Sequence, residues 1–472
     1  MSRPLIGRTI RRLRTERTLS QQALAARLGI SASYLNLIEH DQRAVTASLL
    51  LKLGTVLQAD LAALSGSAER QLESGIREIL ADAALGLEPL PEAELQALAG
   101  SAPGAARAML ALYRAWRVAQ EDASGIALPS GRRMLLPTEE ARDFFQDCGN
   151  HFAALETMAE HVAAQCHALG DSSASGLDRA IAERLARDHG VRVRVGPLDT
   201  LRRYEPETRV LDLAETMRRE TRAFHLAFQL MLLEAREIVD GLAAAASPTT
   251  PEAADLIRLG LLNYAAGALL LPYAPFLAAA QGLRYDVDTL AARFGTGFEE
   301  AAHRLATLQR DGARGIPFFF VRADPAGNVD KRFSASGFPF ARFGGSCPRW
   351  MVHTAFTTPD RMVVQAAELP DGAAFLCFGR VLTSAPSRWG DPAPRHMVAL
   401  GCDIDRAGEV VYSEGLDLVR RVGIGLSCRL CERMDCRSRA FPPLQHRLVI
   451  DPNEGSAVPW RFVPVKPWAV KP

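Results

Sequence analysis

Three cysteines lie within nine residues near the end of the chain, in the segment Cys428-Arg-Leu-Cys431-Glu-Arg-Met-Asp-Cys436. A fourth, Cys402, precedes them by 26 residues, so half of the eight cysteines fall in one short stretch. Thiolates bind soft metals, and four of them hold a structural Zn²⁺ or a [4Fe–4S] cluster equally well. The spacing does not separate these two, and cysteines that only pack are the weaker alternative. The segment therefore indicates a four-thiolate metal centre.

The length and composition indicate a soluble protein of several domains. A chain of 472 residues is too long for one ordinary core, and we expect about two to four domains. The basic N-terminus lacks the apolar segment of a signal peptide, and no apolar run is long enough to cross a membrane. We therefore predict a cytoplasmic protein with no membrane partner. Thiols stay reduced there, so clustered cysteines bind metal more often than they form disulfides.

The basic residues are concentrated at one end of the chain. The net charge of the whole chain is only +1, yet residues 1–52 contain nine arginines and lysines against three acidic residues. A small basic module on a neutral body is typical of a protein that contacts nucleic acid at one end.

The same end has the pattern of four short helices. Ser20 and Thr46 are predicted N-caps, Gly29 ends the second helix, and Ser31 begins the third. This order, with Leu-Ser-Gln, Leu-Gly-Ile-Ser and Leu-Asn in the expected places, resembles the Cro/lambda-repressor (XRE-type) helix-turn-helix. A four-helix unit that binds protein is the weaker alternative.

That resemblance implies a double-stranded DNA operator, with the third helix in the major groove. Two sets of DNA-binding residues follow from it. The residues expected at base edges are Ala32, Ser33, Tyr34 and Asn36, and those expected at phosphates are Gln21, Gln22 and Arg43. Dimers of this family bind two half-sites, so an inverted repeat is expected.

The middle of the chain resembles a zinc peptidase that has lost its metal ligands. The segment from Phe224 to Leu232 resembles the His-Glu-x-x-His helix of ImmA/IrrE-type peptidases, but Phe228, Gln229 and Leu232 replace the ligands and the glutamate, and Leu259 replaces the third ligand. Zinc hydrolysis needs two imidazoles one turn apart and a carboxylate that activates water. We therefore predict a peptidase-like scaffold without an active site, and no enzyme.

After Gly315 the pattern changes to strands, which predicts an antiparallel sheet flanked by helices. The predicted strands are Ile316–Arg322, Arg361–Gln365, Ala373–Arg380, Met397–Cys402 and Glu409–Tyr412. Between them, a block from Phe338 to Trp350 combines aromatics, glycines and an arginine. It is either a core strand with a tight turn or a ligand site, because glycine lets a backbone approach a ligand and arginine suits phosphate. The candidate ligand-binding residues are Phe340, Arg342, Phe343 and Trp350.

The order of all these motifs, with Phe-Gly-Gly-x-Cys-Pro-x-Trp and Cys-Arg-Leu-Cys-Glu-Arg-x-Asp-Cys near the end, resembles the short-chain fatty acyl regulators. This resemblance spans nearly the whole chain. It implies control of acetate, glyoxylate or propionate (methylcitrate) genes, an acyl-CoA effector and a [4Fe–4S] cluster, with structural Zn²⁺ as the alternative. The ligands that it implies are Cys402, Cys428, Cys431 and Cys436. Cys347 is the one other thiol able to reach the centre.

The fold expected from these observations is a multidomain α+β protein. The predicted parts are a helix-turn-helix domain at 1–65, a helical linker at 66–145, a mainly helical ImmA/IrrE-like region at 146–312 and a sensory domain at 313–472. The linker either holds the contacts of a dimer or higher homo-oligomer or is only a spacer. Two other functions remain as alternatives: a zinc protease that cleaves a repressor, disfavoured by its missing ligands, and a toxin–antitoxin partner protein.

Overall fold

The computed structural model describes residues 7–464, apart from positions 41, 44, 58–66, 83–84, 86, 89, 124–136, 169–175, 341–345, 385–389, 430 and 444–445. Its first four helices form one small bundle: α1 (Gly7–Glu16), α2 (Gln21–Leu28), α3 (Ala32–Glu39) and α4 (Ala47–Val56). The predicted caps are confirmed, because the hydroxyls of Ser20, Ser31 and Thr46 accept the N–H groups of Ala23, Tyr34 and Leu49. Gly29 ends α2 with a φ of +73°, where a side chain would be strained.

Three linker helices follow: α5 (Ser67–Leu80), α6 (Glu92–Ser101) and α7 (Pro103–Ala123). They bury two small apolar clusters, one around Ile76 and Leu95 and the other around Ile79 and Leu110. Helix α6 also packs against α1 of the N-terminal bundle. The linker is therefore in direct contact with the N-terminal bundle.

The middle region is built from helices around one large core. Its elements are α8 (Pro137–Asp147), α9 (Ala153–His167), α10 (Leu177–His189), β1 (Arg192–Gly196), β2 (Arg202–Glu205), β3 (Val210–Ala214), α11 (Arg219–Glu234), α12 (Arg236–Ala245), α13 (Pro251–Leu270), α14 (Tyr273–Gly282), α15 (Val287–Phe294) and α16 (Phe298–Ala306). The three strands form a small sheet in the order β1-β3-β2, with β1 parallel and β2 antiparallel to β3.

Helix α13 has the length and apolar content that a membrane-spanning helix would need. It is the one such helix within the part of the chain that the structure describes. Ile257, Leu261, Ala265 and Leu269 are all fully buried against neighbouring helices. Its apolar side chains are therefore used in the protein core.

The C-terminal domain contains a six-stranded sheet in the order β5-β4-β8-β7-β6-β9. The strands of this sheet are β4 (Phe319–Ala323), β5 (Val329–Ser334), β6 (Val363–Glu368), β7 (Ala374–Thr383), β8 (Arg395–Asp403) and β9 (Val422–Gly423). A short helix, α17 (Met351–Thr354), follows β5. Two further strands, β10 (His446–Val449) and β11 (Arg461–Pro464), pair with each other apart from this sheet. The sheet is antiparallel except for the short pair of β6 and β9. The predicted strand Glu409–Tyr412 is wrong: two 3₁₀ turns, Ile404–Glu409 and Val411–Ser413, occupy that segment, because the N–H of Val410 bonds back to Ala407.

The two faces of this sheet contact different parts of the protein. On β8, Val398, Leu400 and Cys402 belong to the large core shared with the middle region. Met397 and Ala399 point the other way, into a second core around Trp350 and Ile424. Successive side chains of a strand point to opposite faces, so β8 separates the helical body from the surroundings of the cysteine segment.

Candidate functional site

The predicted DNA-contacting residues lie on α2, on α3 and in the segment that follows α3. Ser33 and Asn36 are exposed, as are Gln22 on α2 and Arg43 beyond α3, whereas Ala32 and Tyr34 are half-buried at the edge of the bundle. Gln21 and Asn36 are in direct contact through their side chains, and the roles of the whole set at bases and phosphates stay predictions.

A polar network that the sequence did not reveal fixes α3 against α1 and α2. Arg14 donates to both carboxylate oxygens of the buried Glu39, at 2.6 and 3.0 Å. The side-chain amide of Gln21 donates to Glu39 and to Asn36, both at 3.1 Å. The hydrogen bond to Glu39 raises the pKa of Arg14. Gln21 therefore has a positioning contact in addition to any phosphate that it binds.

The region that resembles a peptidase site is filled by packed side chains. Phe228 and Gln229 are buried on α11, and Arg202 of β2 lies over the Phe228 ring at 4.0 Å while donating to the Gln229 side chain at 3.2 Å. Burial, and then the charge of Arg202, lowers the pKa of His225 to about 4. A guanidinium thus lies against Phe228, the residue that the resemblance aligns with the first zinc-binding histidine. Leu232 is half-buried and Leu259 is exposed, and neither side chain has an atom that binds zinc.

A buried ion pair lies deeper in the same core. Arg304 of α16 donates to both oxygens of Glu156 on α9, at 2.6 and 2.8 Å, and both side chains are almost inaccessible. Tyr264 of α13 also donates to Glu156. No motif identifies this triad in the sequence, because Tyr264 and Arg304 lie 108 and 148 residues after Glu156.

The cysteine segment is held together by one arginine that the sequence analysis missed. Arg439 is only 3% exposed, and its guanidinium donates to the carbonyls of Cys428 at 2.6 Å, Cys431 at 2.8 Å and Arg433 at 2.8 Å. We call residues 428–439 the cysteine loop. Within it Cys431 and Cys436 are buried and Cys428 is half-buried.

The fourth thiol near this loop is Cys347 rather than Cys402. Cys402 is fully buried in the large core on the helical side of β8, whereas Cys347 belongs to the second core on the other side. Burial raises the pKa of the Cys347 thiol, and the backbone N–H groups of Gly425 and Arg349 lower this pKa in part. Cys428 and Cys431 lie close enough to Cys347 to raise its pKa further. The structure therefore separates Cys402 from the loop that it was predicted to join.

Gly425 provides the contact surface between the two thiol-bearing segments. A Cβ atom at this position would lie 2.9 Å from the Cys431 sulfur. The backbone N–H of Gly425 faces Cys347. A backbone that approaches sulfur this closely, with N–H groups pointing at a thiol, fits a thiolate-bound metal or cluster. Among the described residues, no three His, Cys, Asp or Glu side chains already have metal-binding geometry, so the thiols would have to draw together on loading.

A cavity of about 470 Å³ adjoins the cysteine loop. Two candidate ligand-binding residues, Phe340 and Trp350, line it, whereas Arg342 and Phe343 lie outside the described residues. The rest of its lining is Arg142, Ala326, Gly327, Asn328, Val329, Arg332, Phe338, Pro339, Ser346, Gly425 and Leu426. The volume is typical of a site for a small molecule.

The cavity combines cations with aromatic rings. Arg142 of α8 and Arg332 of β5 contribute the charge, and Phe338 stacks on Trp350 at 5.4 Å. Arginine binds phosphate through two parallel hydrogen bonds, and aromatic rings bind planar or apolar groups. Sequence analysis missed Arg142 because it lies on a helix nearly 190 residues from the hairpin whose carbonyls it contacts.

Models of three known families match successive parts of the chain. They are described as "Helix-turn-helix", over residues 10–64, "IrrE N-terminal-like domain", over 186–306, and "Short-chain fatty acyl coenzyme A regulator, C-terminal", over 307–460. The last covers the cysteine loop and every residue of the cavity lining except Arg142.

Relatives of known name match along almost the entire chain. The HTH-type transcriptional regulator PrpR of Mycobacterium tuberculosis is 39% identical, over 97% of this chain and 96% of its own length. The propionyl-CoA carboxylase regulator of Cereibacter sphaeroides is also 39% identical, over 97% and 98%. The HTH-type transcriptional regulator RamB of M. tuberculosis is 38% identical, over 98% and 99%.

A solved structure, described as a Mycobacterium tuberculosis transcriptional regulator, has the same fold over much of the chain. It superposes with a TM-score of 0.66 at 42% identity, covering 69% of this chain and 99% of that one. The order of these matches agrees with the order of motifs along the sequence.

Proposed function

Because this chain belongs to the family of short-chain fatty acyl coenzyme A regulators, we propose that it senses an acyl-CoA thioester and carries a thiolate-bound metal centre in its C-terminal domain. The chain is a DNA-binding transcriptional regulator and not an enzyme, as its relatives are regulators over their full lengths. We place it in the cytoplasm. A homodimer on an inverted-repeat operator is the expected complex.

The observation that supports acyl-CoA sensing best is the make-up of the cavity. Arg142 and Arg332 suit the phosphates of a CoA nucleotide, and Phe338, Phe340 and Trp350 suit its adenine ring or its apolar acyl end. The same cavity is lined by Ser346 and Gly425, which flank or contact the thiols Cys347 and Cys431. A ligand here would therefore touch the residues next to the metal centre.

For the metal centre we propose Cys347, Cys428, Cys431 and Cys436 as the ligands, in place of the set that included Cys402. Arg439 would orient the loop by holding its carbonyls, while Gly425 and Arg349 would donate N–H groups to the Cys347 sulfur. A [4Fe–4S] cluster would supply a one-electron redox centre, and Zn²⁺ only a cross-link. We favour the cluster on the family resemblance.

Effector binding would control the operator by shifting a population between two arrangements of the body. Moving a 1:99 mixture to 99:1 needs about 10⁴-fold tighter binding to the favoured arrangement, roughly 5.5 kcal/mol.

Operator binding tests the sensing function. Anaerobically purified protein is titrated onto its operator by fluorescence anisotropy, with and without propionyl-CoA. We expect the thioester to change the operator affinity, and Arg332→Gln to remove that change, whereas Arg395→Gln, an exposed arginine outside the cavity, keeps it. An operator affinity that is the same with and without acyl-CoA would contradict the proposal and favour a toxin–antitoxin role.

Metal analysis tests the ligand set. Cys347→Ala and Cys431→Ala should each lose most of the bound iron or zinc, whereas Cys402→Ala should retain it. A broad absorption band near ~400 nm identifies an iron–sulfur centre, and its absence with stoichiometric zinc identifies the alternative. Loss of metal from Cys402→Ala but not from Cys347→Ala would overturn the assignment.

A further inference from the structure

Helix α5 of the linker forms one wall of a second, smaller cavity of about 80 Å³. Its contribution is Gln71, Ser74, Gly75 and Glu78. Four other lining residues, Arg142, Arg332, Pro339 and Phe340, also line the larger cavity. The linker helix thus lies directly behind the two arginines proposed to bind phosphate.

These two arginines already have acidic partners. Glu139 of α8 pairs with Arg142 at 2.5 Å and with Arg332 at 3.8 Å. Glu78 of α5 lines the same small cavity as both arginines, and its charge acts on Arg332. An anion that enters the cavity must compete with these carboxylates for the same guanidinium groups.

Helix α5 also contacts elements that lead toward the N-terminal bundle and the cysteine loop. Arg77 pairs with Glu92 on α6 and lies 3.8 Å from Glu432 of the cysteine loop. Helix α5 packs on α6, and α6 packs on α1. One helix therefore contacts the effector cavity and the cysteine loop, and it is one helix removed from the bundle that binds DNA.

We propose that α5 is the switch element: its position depends on whether the cavity is occupied, and this position affects the DNA-binding bundle. A phosphate-bearing ligand bound by Arg142 and Arg332 takes their positive charge away from Glu78, α5 leaves the cavity wall, and α6 transmits that shift to α1. The inference rests on the proposed function, since it takes the same cavity as the acyl-CoA site. Its physical basis is a helix whose two positions both sites bias.

The variant Glu78→Gln tests this by removing the competing charge. We expect it to bind propionyl-CoA about two- to fivefold more tightly in calorimetry, the range for one partly exposed ion pair. Without ligand, its operator affinity should move about two- to fivefold toward that of ligand-saturated wild type, and the response to ligand should shrink by the same factor, because the coupling between the two sites is reciprocal. The control Glu94→Gln removes the same charge from an exposed position on α6 and should behave as wild type.

Hydrogen exchange of the wild-type protein provides a second measurement that needs no variant. Saturating propionyl-CoA should increase amide exchange in residues 67–80 while leaving α13 unchanged. Glu78→Gln with wild-type affinities, together with unchanged exchange in α5, would overturn the switch while leaving the proposed function intact. Failure of wild type to bind the thioester at all would instead overturn the proposed function, and the switch with it.

Discussion

Two regions of this protein have sequence patterns that resemble metal sites, and they differ in the side chains that fill them. In the peptidase-like region, the positions that the resemblance aligns with zinc ligands are Phe228 and Leu232, and Arg202 covers the first of these. In the cysteine loop the thiols remain, and Arg439 holds the backbone between them. The first region is held by apolar packing around a half-buried guanidinium, whereas the second depends on polar contacts that hold its backbone.

The sources of stability also differ. The peptidase-like region belongs to a continuous core that runs from α9 to the sheet. The cysteine loop buries few apolar side chains, and Met434 and Phe441 around it are about half exposed. We therefore expect the middle region to unfold only with the whole body, and the cysteine loop to open locally.

The largest effect should come from breaking the buried triad of the middle region. Glu156→Ala leaves Arg304 charged and without its partner in the core, which costs about 3–5 kcal/mol. Urea denaturation measures this as a loss of unfolding free energy. Glu160→Ala, which removes a half-exposed partner of Arg310, should cost less than about 1 kcal/mol. Equal losses would show that burial does not decide the energetics here.

A smaller and local effect is expected in the cysteine loop. Arg439→Ala removes the donor to three buried or half-buried carbonyls, at about 1–3 kcal/mol for leaving buried acceptors unpaired. Thiol-reagent kinetics on metal-free protein should show faster modification of Cys431 and Cys436, with no change for Cys402. The control Arg437→Ala alters an exposed side chain. Unchanged thiol reactivity in Arg439→Ala would contradict the role of this arginine.

The smallest effect concerns a histidine in the peptidase-like region. Burial lowers the pKa of His225 to about 4, below its unfolded value near ~6.5. Protonation therefore favours the unfolded chain. The stability that the neutral His225 side chain contributes is fully present above a pH of ~6.5 and is lost as the pH falls toward about 4. His225→Leu should be less acid-sensitive than wild type over that window, by under about 2 kcal/mol given the partial exposure.

The measurement is a series of urea denaturations at intervals of pH. His161→Leu, at an exposed position, is the matched control and should keep the acid sensitivity of wild type. If His225→Leu loses stability with acid as wild type does, the imidazole is not the group responsible.

Sequence patterns predicted the elements that depend on neighbours along the chain. The caps Ser20, Ser31 and Thr46 and the strands around Phe319 and Phe375 were found because each is fixed by a few adjacent residues. The side of the sheet on which Cys402 lies was not predicted. Strand β8 is apolar on both faces, so its sequence does not show which face is turned toward the cysteine loop. Arg439 and the cavity arginines were missed since their partners are distant in sequence.

Gly425 has a consequence for how such a protein can diversify. This residue lines the cavity and also lies next to the Cys431 sulfur. Because glycine has no side chain, no side-chain atoms of residue 425 lie between the cavity and the sulfur. A library selected for a new effector preference should return changes at Phe340 or Trp350 and none at position 425. Any larger residue there would alter the chemistry of the sulfurs and the shape of the pocket in a single step.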